Sequence, residues 1–406
     1  MKMPHTGARE SQARLGQGRS VPFGEADREL RRAWATVDED SRRTDGEGML
    51  RLREVNLVVV AGEQDLERAR LTAALAAAEH PGRVIVVAPG GTGSSASIAT
   101  GCLIDGFSER RVCSEEVVVQ GTHGEEEQLQ AAVLQLLVPD LPVVGWWMGE
   151  ITGAVESLPW LAGVTDQLVT DLGSAADPSA SLKVLTELIA DQPAVRLREM
   201  EWLRSASWRR LTAELFESPS RRLLAQQIQR VEVRHRDAPM QALLFAAWFA
   251  FRLGMMVGDG EWSSRNSTAW IRMQGSEPEV LEVGLGRDLE AVGDSAGFTR
   301  GLTGVTIHLG VEIDGSTPDE VECKGRSLAI MRLPHSLVCR CGTGDCFDAA
   351  VLKSAGAVEF DDSQLLSLVM DTPAEDRGFK EILRTALELS HAPGSDNSFQ
   401  NEAAAP

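Results

Sequence analysis

Apolar and polar positions divide the chain into segments with different secondary-structure periods. From about Arg51, the segments "VNLVVVAG", "DLERARLTAALAAAEH" and "GRVIVVAPG" follow one another. Short apolar runs bounded by glycine or proline indicate buried strands, and the longer alanine-rich stretch indicates a helix. This order predicts a βαβ unit with parallel strands and a right-handed crossover.

The alternation of strands and helices continues as far as "VPDLPVVGWWMGE". "CSEEVVVQG" predicts a third strand, "EEEQLQAAVLQLL" a helix, and residues 141–148 a fourth strand that contains Trp146 and Trp147. Because side chains alternate across a strand, the two tryptophans should point to opposite faces, unless the strand bulges at Gly145. We expect one tryptophan to be buried between sheet and helices and the other to lie at or near a surface.

The composition changes at "GSAADPSAS", which is interpreted as a linker. Beyond it, "MQALLFAAWFAFRLG" predicts a helix buried on nearly all sides and capped by Gly254, and residues 270–352 predict mainly short strands. The predicted fold class is α/β, with an N-terminal open α/β sandwich domain and a C-terminal α+β domain. The expected limits are a polar, largely flexible segment at 1–50 with one helical candidate, "FGEADRELRRAWATV", the two domains at 51–173 and 181–391, and a disordered tail at 392–406.

The charge balance narrows the classes of partner. The 406 residues include 60 acidic and 40 basic side chains, and the formal net charge is −20. Such a charge repels phosphate backbones and anionic lipids, so we expect no nucleic-acid or membrane partner. The chain begins without an apolar run of signal-peptide length and contains no run of the roughly 20 apolar residues that a spanning helix needs. These features predict a cytoplasmic globular protein.

Two segments could bind a metal or a phosphate. "HSLVCRCGTGDCFD" contains His335, Cys339, Cys341 and Cys346, which are zinc-ligand types without the paired C-x2-C spacing of structural zinc sites. A metal or redox site and ordinary half-buried thiols both remain open. "APGGTGSS" follows a strand, as a phosphate loop would, but it has neither the P-loop lysine nor a G-x-G-x-x-G pattern. No catalytic signature was found, and we expect no cofactor.

A second group of tryptophans and arginines lies in "LREMEWLRSASWRRLTAELFESP". Helical spacing would put Arg204 against Trp208, a cation–π pair worth about 0.5–1 kcal/mol when exposed. Tryptophan and arginine are enriched at protein interfaces. A partner surface and a helix fixed to the core by its tryptophans are therefore both open.

Several of these segments resemble, in the same order, the glucose-6-phosphate dehydrogenase assembly protein family, OpcA. The stretch "LLVPDLPVVGWWMGE" is similar to the family's L-L-x-x-D-L-P-V-x-x-W-W pattern, and "LFAAWFAFRLG" resembles a helix end of the family. A second pattern, W-x-R-x3-W-R, is also matched, and the similarity covers about residues 50–390. Leu136, Leu137, Leu141 and Val143 are among the residues that match. Eight further matching residues are the candidates for partner contact: Asp140, Pro142, Trp146, Trp147, Trp202, Arg204, Trp208 and Arg209.

The resemblance implies a non-catalytic protein that binds glucose-6-phosphate dehydrogenase, helps it to oligomerise and raises its activity. The eight matching residues would be partner-binding residues. Cys113 would be a candidate redox residue, because activation in photosynthetic members is redox-sensitive. The sequence departs from the family pattern at Glu199, Met200, Ser205 and Phe379, which affects the details of partner contact.

Two other classes of function remain as alternatives. One is an enzyme or sensor that binds a sugar phosphate or a nucleotide at the carboxyl ends of the N-terminal strands. The other is a structural scaffold for a different partner. Stabilisation by a small ligand alone would favour the first alternative.

Overall fold

The computed structural model describes residues 19–45, 53–90, 93–104, 111–122, 124–154, 156–288, 300–313, 325–333, 335–342, 351–356, 359–372 and 378–394. Within them the chain forms two compact units, and each unit contains an eight-stranded sheet. The predicted α/β class is confirmed.

The strands are β1 (Arg19–Val21), β2 (Val55–Ala61), β3 (Gly82–Pro89), β4 (Ser95–Ile104), β5 (Arg111–Gly121), β6 (Val143–Met148), β7 (Gln167–Thr170), β8 (Arg196–Glu199), β9 (Ile228–Arg236), β10 (Ser263–Arg265), β11 (Thr268–Gln274), β12 (Val280–Arg287), β13 (Gly301–Ile313), β14 (Gly325–Leu333), β15 (Ser336–Gly342) and β16 (Val351–Gly356). The helices are α1 (Ala26–Asp45), α2 (Leu66–Glu79), α3 (Glu126–Leu136), α4 (Ser157–Val164), α5 (Pro178–Asp191), α6 (Met200–Arg204), α7 (Ala206–Glu214), α8 (Pro219–Leu224), α9 (Pro239–Arg252), α10 (Asp362–Asp371) and α11 (Phe379–His391).

The two units are not continuous segments of the chain. The first contains Met1–Ala175, Leu188–Met200 and Phe360–Glu375, and the second contains the rest. Two segments that the sequence assigned to the C-terminal domain therefore group with the first sheet. From residue 395 onwards, the predicted tail lies outside the described residues.

The first sheet has the strand order β1-β4-β5-β3-β2-β6-β7-β8. The six strands from β5 to β8 in this order are parallel, whereas β4 is antiparallel to both β5 and β1. The predicted βαβ unit is present as β2, α2 and β3. Strands β3, β5 and β4 lie on one side of β2, and β6, β7 and β8 lie on the other. A topological switch point therefore lies between β2 and β6.

Part of the N-terminal segment is anchored to the first sheet. The helical candidate of this segment is confirmed as α1, and β1, which was not predicted, precedes it. The indole nitrogen of Trp34 in α1 donates to the Glu115 carboxylate at 2.6 Å, and Arg83 Nε donates to the same carboxylate at 2.6 Å. Glu115 is buried, so these partners offset the cost of removing its charge from water.

Strand β6 runs without a bulge through Gly145, which is in register with Val58 of β2. A Cβ atom at Gly145 would lie 2.6 Å from Thr165 Cγ2 and 3.0 Å from Leu161 Cγ in α4. The glycine is therefore needed because the end of α4 and the residue after it pack closely against the strand.

We expect Gly145→Ala to lower the free energy of unfolding by about 1–3 kcal/mol, because its Cβ would overlap the Thr165 methyl group. Adding Thr165→Ser removes that methyl group and should restore part of the loss. Gly163→Ala in α4 is the matched control, since its Cβ would have no neighbour closer than 3.9 Å. Urea unfolding gives the free energy of unfolding of the wild type, Gly145→Ala, Gly145→Ala/Thr165→Ser and Gly163→Ala. Equal stability of Gly145→Ala and wild type would contradict the close packing.

The second sheet has the strand order β10-β11-β12-β9-β13-β14-β15-β16, and its described pairs are antiparallel except for β9 with β12. In the same unit, α9 is buried along almost its whole length, as predicted from its apolar sequence. Gly254 follows α9 with a φ of 67°, which confirms the predicted glycine at the end of this helix.

A buried histidine links β9 to the start of α9. His235 Nδ1 accepts a hydrogen bond from the Ala238 N–H at 3.3 Å. Burial, together with the positive charge of Arg287, lowers the pKa of His235 from 6.5 to about 4. The histidine is therefore neutral at neutral pH, as an accepting Nδ1 requires.

We expect acid to destabilise the fold through His235. Between pH 6.5 and about 4, the unfolded chain binds a proton at this residue and the folded chain does not. The free energy of unfolding therefore falls as the pH falls through this window, by up to about 1.4 kcal/mol per pH unit. His235→Gln should flatten this part of the stability–pH curve, and His391→Gln at the exposed end of α11 should not. Unchanged slopes in the His235 variant would contradict the assignment.

Candidate functional site

Both tryptophans of the first motif are buried. Trp146 and Trp147 lie in β6, which pairs with β2 on one side and with β7 on the other. Their exposed fractions are 1% and 9%, so Trp146 is buried, as expected for one of the pair, and Trp147 does not reach the surface either. The reason is that a central parallel strand has neighbours on both edges and packed side chains on both faces.

The indole nitrogens of the pair have different surroundings. Trp147 Nε1 donates to the Glu150 carbonyl oxygen at 3.3 Å. Trp146 Nε1 is buried, with no acceptor among the described residues. The two side chains point to opposite faces, as predicted, and neither offers an exposed ring to a ligand.

The exposed part of this motif is the turn that precedes β6. Asp140 has a φ of 64°, a conformation that aspartate tolerates better than most residues. The Pro142 carbonyl oxygen accepts the Asn56 N–H at 2.9 Å, and the buried Asn56 side chain makes two hydrogen bonds with the Val138 backbone. Asp140 and Pro142 are both exposed. The first motif thus combines an exposed turn at the amino end of β6 with a buried tryptophan pair at the other end.

The second motif spans two short helices rather than one. Helices α6 and α7 are separated at Ser205, and both Trp202 and Trp208 are buried. The Arg209 guanidinium carbon lies 3.2 Å from the centroid of the Trp202 ring, and its Nη1 donates to the Trp202 carbonyl and the Ser205 hydroxyl. The Phe379 ring lies 5.2 Å from Trp202 on a centroid-to-centroid basis. An arginine–tryptophan stack is therefore present, within this packed cluster.

Arg204 forms an ion pair in the same cluster. Its Nη1 lies 2.6 Å from Glu201 Oε1, and the guanidinium of Arg300 approaches the same oxygen at 2.9 Å. Glu201 is buried, and two guanidiniums compensate its charge. Most residues of the second motif are packed inside the second unit. Contact between this motif and a partner stays a prediction.

Carboxylates surround the edge where the switch point would hold a phosphate. Strand β2 is followed by Gly62, and Glu63 and Asp65 lie in the short turn before α2. At the ends of β5 and β6, Glu125 accepts the Thr122 N–H at 2.7 Å, and Glu150 accepts the Ile151 N–H at 2.9 Å. A bound phosphate would meet several carboxylates here, although Arg68 pairs with Asp65 at 3.4 Å, and some of the backbone donors already have carboxylate partners. This arrangement disfavours the nucleotide and sugar-phosphate alternative.

The cysteines do not form a metal site in the described part of the chain. Burial raises the pKa of Cys339 to about 12, so it is a protonated thiol at neutral pH. Cys341 is disulfide-bonded and has no thiolate for a metal, and Cys346 lies outside the described residues. No three potential metal ligands come together among the described residues. Cys113 is in register with Cys102 across β4 and β5, and its redox role stays a prediction.

Comparison with known proteins identifies the family. Residues 73–187 match the domain described as "Glucose-6-phosphate dehydrogenase subunit N-terminal domain", and residues 195–383 match the corresponding C-terminal domain. These matches define a protein with the two domains of a glucose-6-phosphate dehydrogenase assembly family. The chain belongs to the OpcA family of glucose-6-phosphate dehydrogenase assembly proteins.

Curated relatives carry the same family name. "Putative OxPP cycle protein OpcA" of Nostoc punctiforme is 31% identical over 182 residues, which cover 44% of this chain and 39% of that protein. The protein of the same name from Synechocystis sp. is 26% identical over 230 residues, covering 55% and 47%. The matched stretch thus spans less than half the length of each of these relatives.

Solved structures resemble this chain only distantly. The 3-ketoreductase KijD10 from Actinomadura kijaniata has a TM-score of 0.45 at 11% identity, over 83% of this chain and 97% of its own. An oxidoreductase from Sinorhizobium meliloti has a TM-score of 0.49 at 11% identity, over 86% and 98%. These values carry no argument about activity. Among the described helices, none combines the length and the apolar character needed to cross a membrane.

We expect Arg209→Lys to lower the free energy of unfolding by about 1–2 kcal/mol, because lysine has neither the planar group that stacks on Trp202 nor its forked donors. Arg210→Lys is the matched control on the same helix, and its side chain is 64% exposed. Thermal unfolding of both variants measures the difference. Equal destabilisation by the two substitutions would contradict a specific role for the Arg209 stack.

Proposed function

We propose that this chain is a non-catalytic assembly factor and allosteric activator of glucose-6-phosphate dehydrogenase. It binds the enzyme, promotes its oligomerisation and raises its activity in the oxidative pentose phosphate pathway. The observation that carries the proposal is the match of both halves of the chain, in order, to the two dehydrogenase-assembly domains. Because its partner acts on water-soluble metabolites, the proposed location is the cytoplasm.

Activation requires differential binding. A protein that bound every state of the dehydrogenase equally would shift no equilibrium, however tightly it bound. The chain must therefore bind the active oligomer more tightly than the less active forms. The contact surface is expected to be rigid, since ordering a mobile surface would consume part of the binding free energy.

The two motifs contribute to this binding in different ways. Asp140 and Pro142 are exposed in the turn before β6 and can touch the partner directly. The other six residues are buried or half-buried and hold the surrounding surfaces in shape: Trp146, Trp147, Trp202, Arg204, Trp208 and Arg209. Asn56 fixes the exposed turn to the sheet by its two hydrogen bonds with Val138.

The test mixes this protein with the dehydrogenase of the same organism, and follows particle mass by light scattering and the rate at subsaturating glucose 6-phosphate. We expect a larger complex and a higher rate. Glucose 6-phosphate or NADP alone should leave the melting temperature of this protein unchanged. If no complex forms and the rate is constant over a wide concentration range, the proposal fails. A clear rise in melting temperature with either ligand would favour the small-ligand alternative instead.

The contact of the exposed turn is tested in the same assay with Asp140→Asn. Asparagine also tolerates a positive φ, so this substitution removes the charge and retains the turn. We expect the affinity for the dehydrogenase to fall severalfold, with the exposed Glu127→Gln in α3 as the control for loss of one negative charge. Wild-type affinity in the Asp140 variant would remove this residue from the contact.

A further inference from the structure

One face of the second sheet carries a tryptophan with arginines stacked around it. Trp270 of β11 is in register with Gly284 of β12, and a Cβ built on Gly284 would lie 2.7 Å from the ring. The indole therefore lies against a glycine backbone. The guanidinium carbons of Arg230 and Arg265 lie 4.9 and 5.5 Å from the ring centroid. Trp270 is only 8% exposed, and the two guanidiniums lie over its ring.

Three arginines on this face share one carboxylate. Glu282 is approached by Arg230 at 2.8 Å, and by Arg265 and Arg272 at 3.4 Å each. Three guanidiniums against one carboxylate leave a local positive excess, although the whole chain has a formal charge of −20. The side chains of the three arginines are 43%, 52% and 69% exposed, respectively. Their remaining donors are accessible to a further acceptor.

The Glu282 carboxylate interacts strongly with the arginines around it. Burial would raise the pKa of Glu282, but hydrogen bonds and charge from Arg230 and Arg265 outweigh burial and lower it. The carboxylate is therefore ionised at neutral pH and holds the guanidiniums together. Their positions are fixed before any partner arrives, which reduces the entropy lost on binding.

The positive excess is confined to one end of the face. Farther along β9, Arg234 pairs with both Glu232 and Asp288, so negative groups outnumber positive ones there. The face is therefore more positive at one end and more negative at the other. A docked surface with the opposite charge pattern would have a preferred orientation.

Exposed apolar side chains adjoin the arginines. Met256 and Val280 are 66% and 43% exposed. Both residues are paired in register with Gln274, which is two residues after Arg272 in β11. Side chains two residues apart on a strand point to the same face, so Met256 and Val280 share a face of the sheet with Arg272. Methionine, tryptophan and arginine are the residue types enriched where proteins bind one another.

We propose that this Arg–Trp surface, formed by Arg230, Arg265, Arg272, Trp270, Met256 and Val280, docks a carboxylate-bearing surface of the dehydrogenase. This inference rests on the proposed function and adds the location and chemistry of the contact. Guanidiniums bind carboxylates through paired donors, and the neighbouring methionine and valine supply an apolar margin. The chain as a whole is acidic, and the exposed guanidiniums of this surface would attract an acidic partner.

The test compares the double variant Arg265→Gln/Arg272→Gln with Arg210→Gln/Arg384→Gln. Both remove two exposed arginines of the second unit, and the control pair is 64% and 51% exposed on helices. We expect the dissociation constant for the dehydrogenase to rise about tenfold or more in the first variant at low salt and about twofold or less in the control. The affinity of the first variant should also depend less on salt.

The outcomes separate this proposal from the proposed function. Wild-type affinity and salt dependence in Arg265→Gln/Arg272→Gln would overturn the docking surface and leave the assembly function intact. Failure of the wild-type chain to bind the dehydrogenase would overturn both. The Arg230–Glu282 pair remains in the variant and should preserve the fold, which its melting temperature checks. If the double variant unfolds, Arg272→Gln alone, at the 69% exposed position, should still weaken binding about threefold, and wild-type affinity there would overturn the surface.

Discussion

The central position of β6 determines how the first motif can act. The strand is paired on both edges, and its faces are packed so closely that Gly145 has no room for a side chain beside Thr165. Trp146 and Trp147 must then be core residues, whatever their role in the family. Under the proposed function, they would act on a partner only through the shape of the unit that they stabilise, while the turn at Asp140 is exposed.

The same sheet shows why a fold does not define an activity. Its parallel strands have a switch point of the kind that binds nucleotides in other proteins, yet the residues after β2 include Glu63 and Asp65. Carboxylates near the start of α2 disfavour a phosphate there, and the proposed assembly function does not need such a site. The acidic edge is therefore consistent with an assembly role, and a local excess of positive charge lies around Trp270.

The sequence predicts the elements whose periodicity is strong, and it misses those that depend on distant partners. The βαβ unit, the strand with the two tryptophans and the buried helix α9 follow from apolar patterns alone. Strand β4 was missed because its alternating small and polar residues become a strand only when paired with β5. The interruption at Ser205 was also missed; there the Ser205 hydroxyl and the Arg209 guanidinium both donate to the Trp202 carbonyl oxygen.

The candidate surfaces show the same division. The motif residues were found by resemblance, but the burial of both Trp146 and Trp147 could not be inferred, because it depends on which strands flank β6. The Arg–Trp surface gives no local signal: Arg230, Trp270 and Glu282 come from three strands and meet only through the register of β9, β11 and β12. Such a surface can be identified only when the pairing of strands that are far apart in the sequence is known.

The most direct test of the account is thermodynamic reciprocity between this chain and the substrate of the dehydrogenase. The affinity of the chain for the enzyme would be measured by titration, with and without saturating glucose 6-phosphate, beside the substrate affinity with and without the chain. An allosteric activator that favours the substrate-binding state requires both affinities to rise by the same factor. A complex whose affinity is unchanged by substrate, or no complex at all, would contradict the account.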